Sequence, residues 1–334
     1  MKKENTRQWT AEDVLALSRS YQDACVLAAA AELDLFSRLG AGPLAADVLA
    51  QRLGCDLRGL RVLLDALGAL RVLNKDGDGY SVAEGVADVL TPSGGKSVLA
   101  MAQHQANCLH RWAQLGRVVK TGRPADYTPS VLGEAGDQAA FIGAMDNISA
   151  PVADSVIGAV VPPGFTRLLD VGGASGTWTM AFLRACPAAT AIIFDLPHVI
   201  PMAERRLAAA GLRDRVDLVA GDFTVDPLPA GADLVWISAI VHQNSREQNR
   251  RLFAKAFAAL APGGRVAIRD ILMDDSRTSP VAGALFAVNM LVATEGGGTF
   301  TFAELRDDLE AEGFTHAAVL RREQGMSSIV AARK

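Results

Sequence analysis

The 334-residue sequence lacks the features of several protein classes. No run of about 18 apolar residues is present, so no membrane-spanning helix is predicted. The formal net charge is −4 and no block of Lys and Arg stands out, which argues against a general nucleic-acid binder. The beginning, MKKENTRQWTAEDV, has two lysines but no apolar stretch behind them, so no signal peptide is predicted. We therefore expect a cytoplasmic protein without a membrane or nucleic-acid partner.

Cysteine and aromatic residues are also scarce. The cysteines, Cys25, Cys55, Cys108 and Cys186, are far apart and lack the spacing of metal ligands, so we expect reduced, mostly buried thiols and no metal site. Aromatic residues make up 6% of the chain, which argues against a pocket built from stacked rings.

The first half of the chain has helical patterns. Residues 12–39 contain no Pro or Gly, and the stretch CVLAAAAEL is apolar almost all round, as in a helix buried in a core or against another subunit. Helices predicted over 45–53 and 57–67, followed by a hairpin over 75–82, form a winged-helix pattern. Further helical patterns cover about 96–119 and 138–160.

After residues 162–164, Pro-Pro-Gly, short apolar runs alternate with helical stretches. This alternation predicts an α/β fold with a parallel sheet covered on both faces. The predicted strands are 167–171, 190–194, 216–220, 234–238 and 266–268, the predicted helices are 178–185, 199–210, 246–260 and 302–312, and a closing antiparallel pair is predicted at 317–320 and 328–332.

A glycine-rich turn, LLDVGGASGTW, follows the first predicted strand of this region. Its glycines, Gly172, Gly173 and Gly176, do not have the i, i+2, i+5 spacing of a dinucleotide fingerprint. No Gly-Lys-Ser or Gly-Lys-Thr follows, which excludes a P-loop. A turn of this kind allows the backbone to approach a ligand closely.

Two more acidic residues end successive predicted strands. Asp195 ends IIFD, where an acid can accept hydrogen bonds from two ribose hydroxyls. Asp222 and Phe223 follow the next strand, where the acid can hydrogen-bond to an adenine and the aromatic ring can flank it. Taken singly, each of these acids could be a helix cap or a turn residue. Together with the glycine turn, however, they form three sites at the ends of successive strands, which indicates that they bind one ligand.

From about residue 12 to its end, the chain resembles the S-adenosylmethionine-dependent O-methyltransferases of the caffeic acid, acetylserotonin and hydroxyneurosporene type. The segments LLDVGGASG, FDLP, AGDF and LAPGGRVAIRD match that family's motifs in the same order. The resemblance implies a Rossmann-like sheet of seven strands, one of them antiparallel, and a homodimer in which each subunit helps to close its partner's pocket. It also implies three segments: a winged-helix-like dimerisation domain over 1–100, linking helices that line the acceptor pocket over 101–160, and a catalytic, cofactor-binding domain over 161–334.

The resemblance assigns residues to the cofactor S-adenosylmethionine. Asp170, Gly172 and Gly173 match residues along its methionine part, Asp195 with the adjacent Leu196 matches the ribose site, and Asp222 with Phe223 matches the adenine site. Three further positions match residues near the methyl donor: Met145, Ser149 and Ser238.

His242 is the candidate catalytic base. It follows the fourth predicted strand, at the edge of the sheet where ligands bind, and it matches the family's catalytic histidine. Asp270, at the end of the fifth strand, matches the acid that orients this histidine and fixes its tautomer. The alternatives are a helix-capping histidine near Ser245 and an aspartate in a turn.

The sequence departs from the family's pattern at two positions. Gln243 stands where the family usually has an acid directly after the histidine, and Thr299 stands where it often has a second acid. Glu295 lies four residues before Thr299 and is a possible substitute. O-methylation of a small-molecule hydroxyl is therefore the first hypothesis; S- or C-methylation and a non-methylating relative that uses the cofactor stay open.

The acceptor pocket is predicted from polar residues on apolar helices, which need partners. Met290 matches a family position that packs on flat acceptors, and ordinary packing is the alternative for each candidate. A DNA-binding regulator is a remote alternative, because the candidate recognition helix, LRGLRVLLDAL, is largely apolar. The candidate acceptor-binding residues are His104, Asn107, Cys108, Trp112, Asn289 and Met290, and His110 on the same helix is a further candidate.

Overall fold

The computed structural model describes residues 8–160 and 164–334. Pro162 and Pro163, where a domain boundary is predicted, lie outside these residues. The chain divides into two compact units, one comprising Met1–His110 with Thr128–Asn147 and the other Arg111–Tyr127 with Ile148–Lys334. The predicted three-segment division stays a prediction.

The amino-terminal part contains the predicted helix pair and hairpin. A small antiparallel sheet has the strand order β1-β3-β2. Helix α5 begins where Asp56 accepts the Gly59 N–H at 2.7 Å, and its buried face carries Leu60, Leu64 and Leu67. The elements are α1 (Ala11–Arg19), α2 (Tyr21–Glu32), α3 (Leu35–Leu39), β1 (Leu44–Ala45), α4 (Ala46–Leu53), α5 (Leu57–Ala69), β2 (Leu73–Asp76), β3 (Gly79–Val82) and α6 (Ala87–Leu90).

The helical pattern over 12–39 is interrupted twice. Helix α1 ends before Ser20, and Asp34 adopts a left-handed backbone conformation with φ of 57°, which separates α2 from α3. In the apolar stretch CVLAAAAEL only Ala30 and Ala31 are fully buried within this chain. Helix α1 has no buried residue, and its neighbourhood exposes more than half of five large apolar side chains: Trp9, Val14, Leu15, Leu17 and Tyr21.

The central helical patterns each divide into two helices. The pattern over 138–160 is broken at Pro151, which lacks the N–H needed to continue a helix. The helices are α7 (Leu99–Trp112), α8 (Leu115–Thr121), α9 (Gly133–Ser149) and α10 (Ala153–Val160).

The carboxyl-terminal part contains a sheet of seven strands. Its order is β11-β12-β8-β7-β4-β5-β6, and β12 is antiparallel to both neighbours, which confirms the predicted fold class. The elements are β4 (Arg167–Val171), α11 (Thr177–Ala185), β5 (Thr190–Asp195), α12 (Ile200–Ala209), β6 (Val216–Ala220), β7 (Ala232–Ser238), α13 (Arg246–Ala259), β8 (Leu260–Asp270), β9 (Leu272–Met273), α14 (Val281–Ala293), β10 (Phe300–Thr301), α15 (Phe302–Ala311), β11 (Thr315–Arg321) and β12 (Ser328–Arg333), with short 3-10 helices at Arg213–Arg215 and Val241–Gln243.

The two faces of this sheet pack into separate cores. In β8, Val266 and Ile268 contribute to the core that includes α13 and α15, whereas Ala267 contributes to the core that includes α10, α11 and α12. Because side chains alternate along a strand, Asp270 lies on the first face and Arg269 on the second. The consecutive residues Arg269 and Asp270 therefore lie in different environments, on opposite faces of the sheet.

The prediction of mostly buried thiols is wrong for three of the cysteines. All four are free, but only Cys108 is buried, whereas Cys25, Cys55 and Cys186 are half-buried. Cys25 lies on α2, whose surface is only partly covered within this chain. The small size of a cysteine allows it to pack at the edge of a core as well as inside it.

Candidate functional site

The glycine turn after β4 brings the backbone close to neighbouring side chains. Gly172 has φ of +67° and Gly176 has φ of +78°, a conformation that side chains with a Cβ rarely adopt. A Cβ on Gly173 would lie 3.0 Å from the Asp170 carboxyl carbon. The turn therefore forms a cradle of bare backbone beside a carboxyl group.

Asp170 lies under this turn and is almost completely buried. Its side chain accepts a hydrogen bond from Thr179 Oγ1 at 2.6 Å. Burial raises the pKa of Asp170 to about 7, since desolvation outweighs the Thr179 hydrogen bond, and the nearby Asp195 adds to the rise. A cationic group beside Asp170 would favour its ionised form.

Asp195 ends β5 next to the same turn. Its Oδ2 accepts the Ala174 N–H at 2.8 Å, and its Oδ1 accepts the Leu196 N–H at 2.7 Å. Each oxygen retains a lone pair for a hydroxyl donor. Burial raises the pKa of Asp195, although both backbone hydrogen bonds oppose this effect.

Asp222 and Phe223 follow β6 in a loop that is held by hydrogen bonds from Thr224 and Lys255. Asp222 Oδ1 accepts hydrogen bonds from the backbone and hydroxyl of Thr224, and the hydroxyl bond in particular lowers the pKa of Asp222. Lys255 Nζ donates to the carbonyls of Phe223 and Asp226, both at 2.8 Å. Within the described chain, Asp222 Oδ2 has no hydrogen-bond partner and is available to a ligand.

The fourth strand of this edge, β7, ends at Ser238. Its hydroxyl accepts a hydrogen bond from Arg269 Nη1 at 3.1 Å, and the guanidinium carbon of Arg269 lies 4.3 Å from the centre of the Trp178 ring. Trp178 also packs on Trp236, with ring centres 5.5 Å apart. Trp178 therefore packs on the sheet, and Arg269 is a buried polar residue that the sequence analysis missed.

These groups fit an adenosyl sulfonium compound. The bare backbone and the Asp170 carboxyl suit an amino-acid tail, the Asp195 oxygens suit ribose hydroxyls, and Asp222 Oδ2 suits an amino group on a base. The donor set includes no glycine-loop lysine of the kind that holds phosphates. Met145 and Ser149, the remaining predicted cofactor residues, are half-buried on α9, and Leu196 is 38% exposed.

His242 and Asp270 form a buried pair. Nδ1 of His242 lies 2.9 Å from both carboxylate oxygens of Asp270, and the two side chains are 8% and 3% exposed. Asp270 Oδ1 also accepts the Ile271 N–H at 2.8 Å, which holds the carboxylate in place. Because Nδ1 faces an acceptor, we assign its proton to Nδ1, and the lone pair is then on Nε2.

Two further elements support His242. Phe286 on α14 contacts the imidazole edge to face, with ring centres 4.8 Å apart. Gly297 packs so closely that a Cβ there would lie 2.5 Å from the His242 carbonyl oxygen. Phe286 precedes Met290 by four residues and so shares its helix face, a spacing that could have identified it.

The two departures from the family's pattern leave the pair without a second acid from these positions. Gln243 donates to the Ala239 carbonyl at 3.2 Å, and Thr299 is buried. Glu295 is exposed and makes no hydrogen bond or ion pair with the residues the structure describes.

The predicted acceptor-binding residues lie in two groups. In the second unit, Trp112 Nε1 donates to Asn289 Oδ1 at 2.9 Å, and Met290 is buried on the next position of α14. In the first unit, His104 Nε2 lies 3.6 Å from Cys108 Sγ, and Asn107 is half-buried between them on α7. Within the described residues, no cluster of metal-ligating side chains is found and no helix is long and apolar enough to cross a bilayer.

Comparison with known proteins identifies the family of this chain. Residues 112–315, more than half of the chain, match the model of an O-methyltransferase domain, and residues 15–93 match an O-methyltransferase dimerisation domain. The chain is 34% identical to 3-hydroxy-5-methyl-1-naphthoate 3-O-methyltransferase from Streptomyces sahachiroi, over 92% of this chain and 91% of that protein. It is 30% identical to the N,N-dimethyltransferase OxyT from Streptomyces rimosus, over 91% and 90% of the two chains. The solved structure of mitomycin 7-O-methyltransferase is similar with a TM-score of 0.82 at 27% identity, over 97% of each chain.

Proposed function

Because the chain belongs to the S-adenosylmethionine-dependent O-methyltransferase family, we propose that it methylates a hydroxyl group of a small aromatic acceptor, with His242 as the base and Asp270 as its orienting acid. The observation that carries the proposal is the buried contact of 2.9 Å between His242 Nδ1 and both oxygens of Asp270. The cofactor supplies the methyl group when it is bound.

The role of His242 follows from its tautomer. Asp270 holds the Nδ1 proton, so Nε2 can accept the proton of an acceptor hydroxyl as the oxygen becomes nucleophilic. Asp270 also stabilises the imidazolium that forms. Proton removal by a positioned base contributes about 10²–10⁴-fold to a rate, and alignment of the reactants contributes the larger part.

We assign the cofactor to the carboxyl edge of the sheet. Asp170, Gly172 and Gly173 hold its methionine part, Asp195 and Leu196 its ribose, and Asp222 with Phe223 its adenine. Ser238, Met145 and Ser149 complete the proposed site. The polar geometry at Asp170, Asp195 and Asp222 supports this assignment.

We also propose that the protein is a homodimer formed through its amino-terminal part. The dimerisation domain of the family spans residues 15–93, and α1 with its neighbourhood exposes Trp9, Val14, Leu15, Leu17 and Tyr21. Burial of these side chains against a partner subunit would remove apolar surface from water. Light scattering should give twice the chain mass, and Leu17→Asp should shift the mass toward one chain. A wild-type monomer at all concentrations would overturn the proposal.

The acceptor is best tested with a labelled methyl donor. Phenols, thiols and amines of matched size are offered to the wild type and to His242→Ala, whose turnover of phenols should fall at least about a hundredfold. Unchanged turnover in that variant would remove His242 from the mechanism. Because OxyT is an N,N-dimethyltransferase, labelling of amines alone would replace the hydroxyl proposal with N-methylation.

Cofactor binding is measured separately. Calorimetry with S-adenosylhomocysteine should give the same affinity for His242→Ala as for the wild type, whereas Asp195→Ala should weaken binding. Equal affinity of Asp195→Ala and the wild type would refute the assignment of the ribose site.

A further inference from the structure

Arg269 is a charged residue in an otherwise apolar strand. It is the tenth residue of β8, pairs with Ser238 on one side and with Ile329 on the other, and is only 2% exposed. Ser238, Asp170 and Asp195 share its face of the sheet, because Leu168, Ile193, Trp236 and Ala267 all contribute to the same core. Arg269 therefore belongs to the cofactor-side face, whereas Asp270 belongs to the other.

The guanidinium has few polar partners. It donates to Ser238 Oγ at 3.1 Å and to Ser327 Oγ at 3.4 Å, and it lies over the Trp178 ring. Its Nε has no hydrogen-bond partner and no carboxylate forms an ion pair with it, as far as the described residues show. Burial lowers the pKa of Arg269 to about 10, so the group keeps its charge at neutral pH.

A buried cation without a direct ion pair is costly, because desolvation outweighs the opposing effect of the Asp270 and Glu323 charges, and an apolar side chain of similar volume would avoid this cost. The stacking on Trp178 offsets part of it. The remaining cost is explained if an anion is present in the functional protein. Asp270 and Glu323 stabilise the charge from a distance, but within the described residues neither forms an ion pair with Arg269, so a directly bound anion would come with a ligand.

Ser238 connects Arg269 to that ligand through hydrogen bonds. Its oxygen accepts from the guanidinium, so its own proton is directed to another acceptor, and the side chain is half-buried at the carboxyl edge of β7. A hydroxyl that accepts from a cation is a stronger donor, because hydrogen bonds in a chain polarise one another. Ser238 is thus prepared to donate to an anion.

We propose that Arg269 is a positioning residue that orients Ser238 to donate to the carboxylate of the cofactor's methionine part. The inference rests on the proposed placement of the cofactor along this edge. The two charges of the amino-acid tail then meet opposite charges, with Asp170 on the side of the ammonium and Arg269 behind the carboxylate.

The test compares two ligands that differ only in this tail. S-Adenosylhomocysteine has the amino-acid carboxylate, whereas 5′-methylthioadenosine keeps the adenosine and lacks it. By calorimetry, Arg269→Met and Ser238→Ala should each weaken S-adenosylhomocysteine about tenfold or more and change 5′-methylthioadenosine less than about twofold. The double variant should lose no more than the stronger single variant, because the two residues act in series.

Controls separate this proposal from a structural role. Ser327→Ala removes the more distant partner of Arg269 and should leave both affinities unchanged. Equal losses for both ligands, or no loss for either, would overturn the proposal. If Arg269→Met does not fold, Ser238→Ala alone decides, since it leaves the guanidinium in place. Asp195→Ala should weaken both ligands, and its failure to do so would refute the cofactor placement instead.

Discussion

Replacing Asp270 with asparagine should inactivate the base by moving one proton. In the native pair, Asp270 Oδ1 accepts the Ile271 N–H at 2.8 Å, and both carboxylate oxygens lie 2.9 Å from His242 Nδ1. An asparagine would keep its carbonyl oxygen toward the Ile271 N–H, so its NH₂ group would point toward Nδ1. The carbonyl oxygen would also stay within 2.9 Å of Nδ1, so the NH₂ group competes with it; where the NH₂ group donates to Nδ1, the imidazole proton moves to Nε2.

The size of the effect follows from the loss of that base. Without a lone pair on Nε2, we expect kcat to fall about 10²–10⁴-fold, which is about 2.7–5.4 kcal/mol of transition-state stabilisation. Single-turnover transfer of labelled methyl groups measures this loss, and calorimetry with S-adenosylhomocysteine should show unchanged affinity. Asp274→Asn is the matched control, because the side chain of this exposed aspartate pairs with Arg322 on the surface, away from the His242–Asp270 pair.

Two results would refute this reasoning. Wild-type turnover in Asp270→Asn would show that the tautomer of His242 does not limit the reaction. A loss of cofactor affinity by the same factor as kcat would show that Asp270 supports the site as a whole rather than the base. A raised pH that restores turnover would be consistent with the proposal, since an ionised acceptor needs no base.

Two further predictions concern the surroundings of the site. Gly297→Ala should lower kcat with little change in cofactor affinity, because its Cβ would lie 2.5 Å from the His242 carbonyl oxygen. Gly298→Ala is the control: it places a Cβ in open space and should retain turnover. Equal activity of the two variants would contradict this prediction. Asp170→Asn should raise the melting temperature relative to the wild type, and the difference should grow from about pH 4 to about pH 7 and then stay level. Burial raises the pKa of Asp170 from 3.8 to about 7 in the folded state, so between these pH values the folded state retains a proton that the unfolded state has lost. The wild type therefore loses stability as the pH rises toward about 7, while asparagine has no proton to lose. A difference that is constant with pH, measured by calorimetry, would show that the folded-state pKa of Asp170 lies near its unfolded value.

The strands that carry the site could be predicted well from the sequence. The strand over 167–171 is found with the predicted bounds, and β6 likewise. Both are short apolar runs between clear breaks, which is a strong local signal for a parallel strand; β4 is buried on both faces, whereas β6, at the edge of the sheet, is only partly buried. The positions of Asp170, Asp195 and Asp222 at strand ends followed from these runs.

Other features depend on contacts that local patterns do not contain. Strand β8 begins at Leu260 rather than at 266, because pairing with β7 extends it through Pro262, Gly263 and Gly264, which local propensity treats as breakers. The role of Arg269 required knowing that Ser238 and Trp178 meet it from two other elements. The helical pattern over 12–39 contains no breaker, yet the chain turns at Ser20 and Asp34 so that α2 and α3 can pack against the same core.

The alternation along β8 also limits how this protein can change during evolution. Asp270 and Arg269 are consecutive, and hydrogen bonding to β7 and β12 holds the strand on both sides. Insertion or deletion of one residue before them would exchange their faces, so the acid would leave His242; the guanidinium would replace it after an insertion, and Ile271 after a deletion. Such a length change would remove both the orientation of His242 by Asp270 and the orientation of Ser238 by Arg269. New acceptors are therefore expected to arise by point substitutions outside β8, while the length of β8 between Gly264 and Asp270 stays constant among functional descendants.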